Sequence, residues 1–119
     1  ATIESVAYQT NDLFEAMKHD GLKPSLVKVD GGMVMNNWFS QFLSDVVNVK
    51  VLRPKVRETT ALGAAFMAGL HIGVYKSLKD ISKNWKLDRN FTPKINSKTR
   101  NILVSGWSAS IKKTLTNTI

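Results

Sequence analysis

Apolar residues recur at steps of three and four positions through residues 1–19, which predicts an amphipathic helix. Gly21 favours a stop just after this helix, and Pro24 prevents a restart nearby. The stretch SLVKVD at residues 25–30 then predicts a short buried strand, because it is rich in apolar residues and bounded by turn formers.

A pair of glycines separates this strand from a second amphipathic stretch. Apolar side chains gather on one side of residues 36–47, which predicts a second helix. VKVL at residues 49–52 predicts a second strand, and the dipeptide Arg53-Pro54 is expected to close it.

The third helix, which follows the sequence RETT, has an unusual composition. Thr59 or Thr60 is the expected N-cap, and Gly73 is the expected end. Gly63 and Gly69 each cost about 1 kcal/mol relative to alanine inside a helix, a loss that makes sense if another backbone packs closely there. Because the helix has so little polar surface, we expect it to be buried on more than one side. Its small face consists of Ala61, Ala64, Ala65 and Ala68.

The rest of the chain predicts two more helices. Ser77 is expected to cap a short helix that runs to about residue 85, and a loop with Phe91 and Pro93 follows it. A last helix is expected near residues 97–115, where large apolar residues repeat every four positions. The alternating order of elements predicts an α/β fold that is helix-rich and has few strands for a complete sheet.

Composition indicates one modest globular domain without disulfide or metal chemistry. The chain has 119 residues, 43% of them apolar, and no cysteine. His19 and His71 stand apart from any cluster with metal-ligand spacing. No secretory signal opens the chain, and its most apolar stretch, residues 61–74, is shorter than the roughly 20 residues that span a bilayer. We therefore expect a cytoplasmic protein without a membrane partner.

The net charge of +8 comes from the last third of the chain. Residues 1–75 carry seven basic and seven acidic side chains, whereas residues 76–119 carry ten basic and two acidic ones. This surplus raises the alternative of a basic, non-catalytic module that binds nucleic acid. The basic residues are scattered singly, with no aromatic platform between them, so we expect a solvated surface and no specific nucleic-acid partner.

The junction VDGG between the first strand and the second helix is the strongest candidate for a binding site. Glycines without Cβ atoms let the backbone take positive φ and lie close to a ligand. The free N–H groups of the following helix favour negative charge, and Asn36 or Asn37 can cap the helix or reach the edge of a heterocycle. The site therefore suits an adenosine group with phosphate nearby. The alternative is a plain turn in which Asp30 bonds its own backbone.

Three stretches of the chain resemble the sugar kinases of the actin-like superfamily. KVDGG followed by an Asn pair, and then QF-x-SD, resembles their adenosine motif. The stretch RPKVRETTALGAAFMAGLHIGVYKSL resembles the next segment of the glycerol kinases in the FGGY carbohydrate kinase family. F-x-P and RN-x-x-x-x-GW resemble that family's last helix, and the opening ATIE resembles the tail of its second signature. The resemblance extends over essentially the whole chain.

What the resemblance implies is an enzyme that transfers the γ-phosphoryl group of ATP to glycerol with Mg²⁺, giving glycerol 3-phosphate. Such kinases have two ribonuclease-H-like domains, and residues 1–119 resemble the carboxyl-terminal part of the second FGGY kinase domain. By position, Gly31 would set the turn, Gly32 would contact the phosphate side of ATP or ADP, and Asn36 would hold the adenosine end. Another FGGY sugar kinase is the alternative, against which the sequence ETTALGAA argues.

The resemblance also implies that essential parts of the enzyme lie elsewhere. The family's catalytic aspartate, its glycerol-binding residues and its amino-terminal phosphate loop would precede Ala1. We therefore expect a fragment with no catalytic residue and no metal ligand, inactive alone and able to meet glycerol only with the missing part. Its incomplete sheet and third helix predict an exposed apolar patch and a homo-oligomer. Bulky replacements of Gly31 and Gly32 are expected to weaken ATP binding and spare the melting temperature.

Overall fold

The computed structural model describes residues 1–56 and 58–115 as five α-helices, three strands and one 3₁₀ turn. The three strands lie between the two longest helices in sequence, since α1 is the first element and α5 the last. The elements are α1 (Thr2–His19), β1 (Leu26–Lys28), the 3₁₀ turn (Met33–Met35), α2 (Asn37–Val47), β2 (Lys50–Pro54), α3 (Thr59–His71), α4 (Leu78–Ser82), β3 (Leu87–Phe91) and α5 (Ser97–Thr114).

The sheet has the order β1-β2-β3. β1 and β2 are parallel, with Val27 opposite Val51, and α2 makes the crossover that a parallel pair requires. β2 and β3 are antiparallel, with Val51 opposite Phe91 and an irregularity between Arg53 and Pro54. β2 is therefore the central strand, and it joins the β1 end of the sheet to the carboxyl-terminal third of the chain.

The core forms where α1 and α2 pack together and against the sheet. The predicted amphipathic faces of both helices supply most of it, because their apolar residues repeat with helical spacing. One buried cluster contains Ala7, Phe14, Val34, Phe39, Leu43, Val47, Val51 and Phe91. This packing holds the carboxyl end of β1 and the start of α2 in a well-defined place.

A network of aromatic contacts brings α5 against α1. Tyr8 stacks on Trp107 with ring centroids 5.4 Å apart, and the Trp107 indole N–H donates to a carboxylate oxygen of Asp12 at 2.8 Å. Burial, and to a lesser degree the charge of Glu4, raises the pKa of Tyr8. Trp107 of the last helix's repeat therefore contacts α1, whereas Ile111 and Leu115 of the same repeat are exposed.

The predicted helices α1, α2 and α5 are confirmed to within one or two residues. Gly21 and Gly73 adopt positive φ angles of 86° and 81°, as expected for glycines that follow helices. Ser77 caps α4 by accepting a hydrogen bond from the backbone N–H of Asp80. α4 is shorter than expected and ends at Ser82.

The predicted loop around Phe91 is wrong, because residues 87–91 form strand β3. The strand was missed because LDRNF is polar and four of its five residues are exposed, so it carries little apolar alternation. Tertiary pairing creates the strand: Phe91 fills the core opposite Val51. Strand β2 extends two residues beyond its predicted end and stops at Pro54, and the partners of Arg53 and Pro54 lie in β3.

The expectation that α3 is buried on more than one side is also wrong for the chain as described. Gly69 is its one buried residue, and the four alanines of its small face are exposed or nearly so. Glu58, rather than a threonine, occupies the N-cap position, with no side-chain capping bond. Large apolar side chains are exposed on α3 and in the segment after it. They include Met67, Ile72, Val74 and Leu78.

The glycines of α3 have different surroundings, and neither is approached by a second helix backbone. A Cβ atom at Gly69 would lie 2.8 Å from the ring of Tyr75, whereas one at Gly63 would meet no described atom within 4 Å. Gly69 therefore makes room for an aromatic ring, which in turn meets Phe66 edge-on at 5.5 Å between centroids.

No helix within residues 1–56 and 58–115 is long and apolar enough to cross a bilayer.

We predict that Gly63→Ala and Gly69→Ala have opposite effects on stability. Alanine at position 63 should raise the free energy of unfolding by about 1 kcal/mol, because helix propensity improves and space is open. Alanine at position 69 should give no gain or a loss, because the Tyr75 ring must leave its contact with Phe66. Urea unfolding of the chain measures both values, and equal gains would contradict the packing described here.

Candidate functional site

The two glycines after β1 play different parts in the turn. Gly31 has a φ of 88°, which side-chain-bearing residues rarely adopt, so it determines the direction of the turn. Gly32 has helical angles, φ −64° and ψ −37°, and leads directly into the 3₁₀ turn. A Cβ atom on either glycine would meet no described atom within 4 Å, so the surface above them is open to a ligand.

Asn36 is the N-cap of α2. Its Oδ1 accepts hydrogen bonds from the backbone N–H groups of Trp38 at 2.9 Å and Phe39 at 3.2 Å. Asn36 therefore caps the helix, which is one of the two roles that the sequence allowed, and its side-chain oxygen is used for this. The side chain is exposed, and within the described part of the chain its Nδ2 has no hydrogen-bond partner. Asn36 thus offers one donor beside the glycine turn.

Asp30 joins the end of β1 to the start of α3. Its carboxylate accepts a hydrogen bond from the hydroxyl of Thr59, the first residue of α3. Asp30 is thus not a turn-former that bonds its own backbone, since its partner lies 29 positions away. The contact brings the amino-terminal end of α3 to the glycine turn.

A cleft of about 340 Å³ lies between the glycine turn and the start of α3. Gly31 and Gly32 form one wall of it, whereas Asn36, the N-cap of α2, is not among its lining residues. The opposite wall comes from the sequence ETT, to which we assigned only a capping role. The residues that line the whole cleft are Asp30, Gly31, Gly32, Met35, Glu58, Thr59 and Thr60. The resemblance of ETT to a kinase motif was the one signal that could have identified this wall.

The cleft provides backbone and hydroxyl groups rather than acid–base or metal chemistry. The first N–H groups of α3 have no partner within the helix, so they favour a polar or anionic group, whereas Asp30 and Glu58 oppose free negative charge. In residues 1–56 and 58–115, no three His, Asp or Glu side chains lie together as a metal site. The arrangement can bind and orient a ligand with hydroxyl and phosphate groups.

Two of the ten basic residues in the last third have side-chain hydrogen-bond partners within the described part of the chain. Arg100 donates to the backbone carbonyl of Asp45 at 3.0 Å and to Oδ1 of Asn48 at 2.8 Å. Lys83 pairs with Asp80 on the same short helix at 2.8 Å. Contacts of this kind tie the chain together, so they give no support to a nucleic-acid interface.

Comparison with known families places the amino-terminal 60% of the chain in one of them. The model described as "FGGY family of carbohydrate kinases, C-terminal domain" matches residues 1–72. Glycerol kinase of Gluconobacter oxydans (strain 621H) is 50% identical over 117 residues, which are 98% of this chain and 23% of that protein. Glycerol kinase 1 of Pseudomonas aeruginosa is 50% identical over 113 residues, 95% of this chain and 23% of that protein. The chain therefore spans about a quarter of the length of these relatives.

Solved structures share this fold. The structure of Plasmodium falciparum glycerol kinase with ADP matches 97% of this chain and 23% of its own, with a TM-score of 0.81 and 34% identity. Ligand-bound xylulose kinase from Lactobacillus acidophilus matches 99% of this chain and 24% of its own, with a TM-score of 0.80 and 22% identity. The three-stranded, helix-rich chain thus has the fold of the corresponding part of these kinases, which confirms the predicted ribonuclease-H-like, actin-like class.

The geometry predicts that the two glycines respond differently to a methyl group. Gly31→Ala should lower the free energy of unfolding by about 1–2 kcal/mol, because a Cβ atom at positive φ is strained. Gly32→Ala should be neutral within about 0.5 kcal/mol, because its angles are helical and its surroundings open. The expectation that both positions spare stability is therefore wrong for Gly31. Thermal or urea unfolding tests the difference, and a greater loss at position 32 would refute it.

Proposed function

This chain belongs to the FGGY family of carbohydrate kinases, and we propose on that premise that it forms the carboxyl-terminal part of the second domain of a glycerol kinase. The proposed enzyme is cytoplasmic and transfers the γ-phosphoryl group of ATP to glycerol. Identity of 50% with two glycerol kinases over nearly the whole chain supports glycerol as the acceptor. The xylulose kinase likeness, at 22% identity, supports the fold alone.

The observation that carries the proposal is the open glycine turn beside the amide of Asn36. Gly31 turns the chain, and Gly32 leaves space above the backbone for the phosphate side of ATP or ADP. Asn36 offers its Nδ2 to the adenosine end while its oxygen holds α2 in place. The ADP complex of a kinase with 34% identity supports a nucleotide as the ligand of this cleft.

In this proposal the chain contributes position rather than reactive groups. Phosphoryl transfer depends mainly on alignment of the reactants and on stabilisation of charge in the transition state. None of Gly31, Gly32 and Asn36 is a base, a nucleophile or a cation. We therefore assign the chain no catalytic residue, and glycerol is bound by other parts of the kinase.

The described residues do not fit a Mg²⁺ site of their own. Mg²⁺ prefers several oxygen ligands in octahedral geometry, and no group of three candidate side chains is present in the described ranges. Asp30, the acidic residue closest to the glycines in sequence, is engaged by the Thr59 hydroxyl. Under the proposed function, Mg²⁺ belongs to the nucleotide phosphates and to residues outside this chain.

Assembly into a homo-oligomer is also proposed. Its support is the exposed apolar surface on α3 and the segment that follows it, where Ile72 is 73% exposed and Val74 is 67% exposed. Surfaces of this kind are usually covered, either by the rest of the same protein or by another subunit.

We predict that the isolated 119-residue chain shows no glycerol-dependent release of ADP. The reason is that it holds one wall of the nucleotide site and no group that could align glycerol with the γ-phosphate. A coupled assay measures ADP release with and without glycerol, and the full-length kinase serves as the positive control. Turnover by the isolated chain would contradict the proposed division of the enzyme.

We predict that Gly32→Val in the full-length kinase raises KM for ATP by about tenfold or more, which corresponds to at least ~1.4 kcal/mol of binding free energy. A branched side chain there would occupy the space proposed for the nucleotide. The melting temperature should change little, because position 32 has helical angles.

Gly106→Val is the matched control for this experiment. Gly106 lies within α5, and a Cβ atom there also meets no described atom within 4 Å. We expect its KM for ATP to equal that of the unmodified kinase. If both variants or neither altered KM for ATP, the glycine turn would not be the nucleotide wall.

A further inference from the structure

We infer that Arg53 is the positioning residue of the nucleotide site, an inference that rests on the proposed function. Arg53 lies in β2 and is buried, with only 6% of its surface exposed. It does not line the glycine cleft, and the sequence assigned it no function beyond the end of a strand. Its importance follows from what its guanidinium group contacts.

The guanidinium of Arg53 binds the segment that directly follows the two glycines. Its Nη1 donates to the backbone carbonyl oxygens of Val34 at 2.9 Å and Met35 at 3.3 Å, and to Oδ1 of Asn37 at 3.0 Å. Its Nε donates to a carboxylate oxygen of Asp88 at 2.8 Å. One side chain thus connects the 3₁₀ turn, the first residue of α2 and strand β3.

These contacts lie between the two groups proposed to meet the nucleotide. Gly32 is the residue before the 3₁₀ turn, and Asn36 is the residue after it. Because Val34 and Met35 are anchored through their carbonyls, the turn cannot shift without breaking hydrogen bonds to a buried charge. Arg53 thereby holds the segment between Gly32 and Asn36 together with the turn's own hydrogen bond from the Met35 N–H to the Gly32 carbonyl at 3.2 Å, although Arg53 itself bonds neither Gly32 nor Asn36.

The planar, forked guanidinium suits this task better than an ammonium group would. Arg53 directs its Nε to the carboxylate of Asp88 and its Nη1 to the turn from fixed positions in one plane, whereas lysine would have a single nitrogen for both partners. The charge of Arg53 is compensated by Asp88, whose side chain is 40% exposed, and the Cζ atom of Arg53 lies 5.5 Å from the ring centroid of Phe91. Strand β3 thereby supports the site from a distance in sequence of 35 residues.

The test replaces Arg53 by lysine in the full-length kinase. Lysine keeps the charge beside Asp88 but cannot reach all the acceptors of the turn at the same time. We expect KM for ATP and Kd for ADP to rise about tenfold, equivalent to ~1.4 kcal/mol. KM for glycerol should stay within about twofold of its original value, because the substrate-binding groups are not displaced.

Arg100→Lys provides the matched control. Arg100 also binds a backbone carbonyl and an asparagine side chain, but at the opposite end of α2, through Asp45 and Asn48. The same exchange there should leave Kd for ADP unchanged even if it lowers the melting temperature. The comparison separates loss of a structural arginine from loss of the arginine that holds the turn.

A readout without nucleotide measures the position of the turn directly. Hydrogen–deuterium exchange of residues 31–37 should be faster in Arg53→Lys than in Arg100→Lys or in the unmodified kinase.

Asn37→Ala serves as a second variant if Arg53→Lys does not fold. It removes one of the acceptors of Arg53 at an exposed position, and it should raise Kd for ADP by about threefold.

The inference is overturned if the folded variant changes the melting temperature but neither Kd for ADP nor exchange of residues 31–37. It is equally overturned if KM rises to the same extent for ATP and for glycerol. Glycerol turnover by the unmodified kinase tests the proposed function separately. A kinase that binds ADP but prefers another sugar would correct the substrate and leave the Arg53 comparison valid, whereas absence of ADP binding would overturn both proposals.

Discussion

A buried guanidinium group needs hydrogen-bond acceptors and a counter-charge, and this requirement determines how the centre of the structure is arranged. Arg53 meets it with two carbonyls of the 3₁₀ turn, the side chain of Asn37 and the carboxylate of Asp88. Asn37 lies 16 positions before Arg53 in the sequence, and Asp88 lies 35 positions after it. If one of these segments moved far, the charge of Arg53 would be exposed or would lose its hydrogen-bond partners. The positions of the glycine turn, α2 and β3 therefore depend on one another.

The two walls of the candidate site differ in how firmly they are held. The glycine wall itself is exposed, but it leads directly into a segment whose residues Val34 and Phe39 are buried in the core. The opposite wall belongs to α3, which buries only Gly69 and depends on the hydrogen bond between Asp30 and Thr59. Segments with few buried apolar contacts open at lower free energy cost. The site therefore combines a rigid platform with a wall whose position is less constrained by packing.

The sequence predicted what depends on local periodicity and missed what depends on distant partners. The helices α1, α2 and α5 were found because their apolar residues repeat at helical spacing, and the turn at Gly31 was found because glycine tolerates positive φ. Strand β3 was missed because only Phe91 is apolar and buried, and its pairing with β2 cannot be inferred from LDRNF alone. The same holds for Arg53, which is itself buried but whose partners lie up to 35 residues away.

The expected burial of α3 fails for a related reason, and this failure bears on function. An alanine-rich face has the composition of an interface, yet composition does not specify whether the partner lies within the same chain. Here the face remains open while the end of α3 that carries Thr59 and Thr60 is already placed against the glycine turn. Whatever covers α3 in the complete protein would therefore also set the width of the cleft. Under the proposed function, nucleotide binding and association of α3 with its neighbour would use the same element and would therefore be coupled.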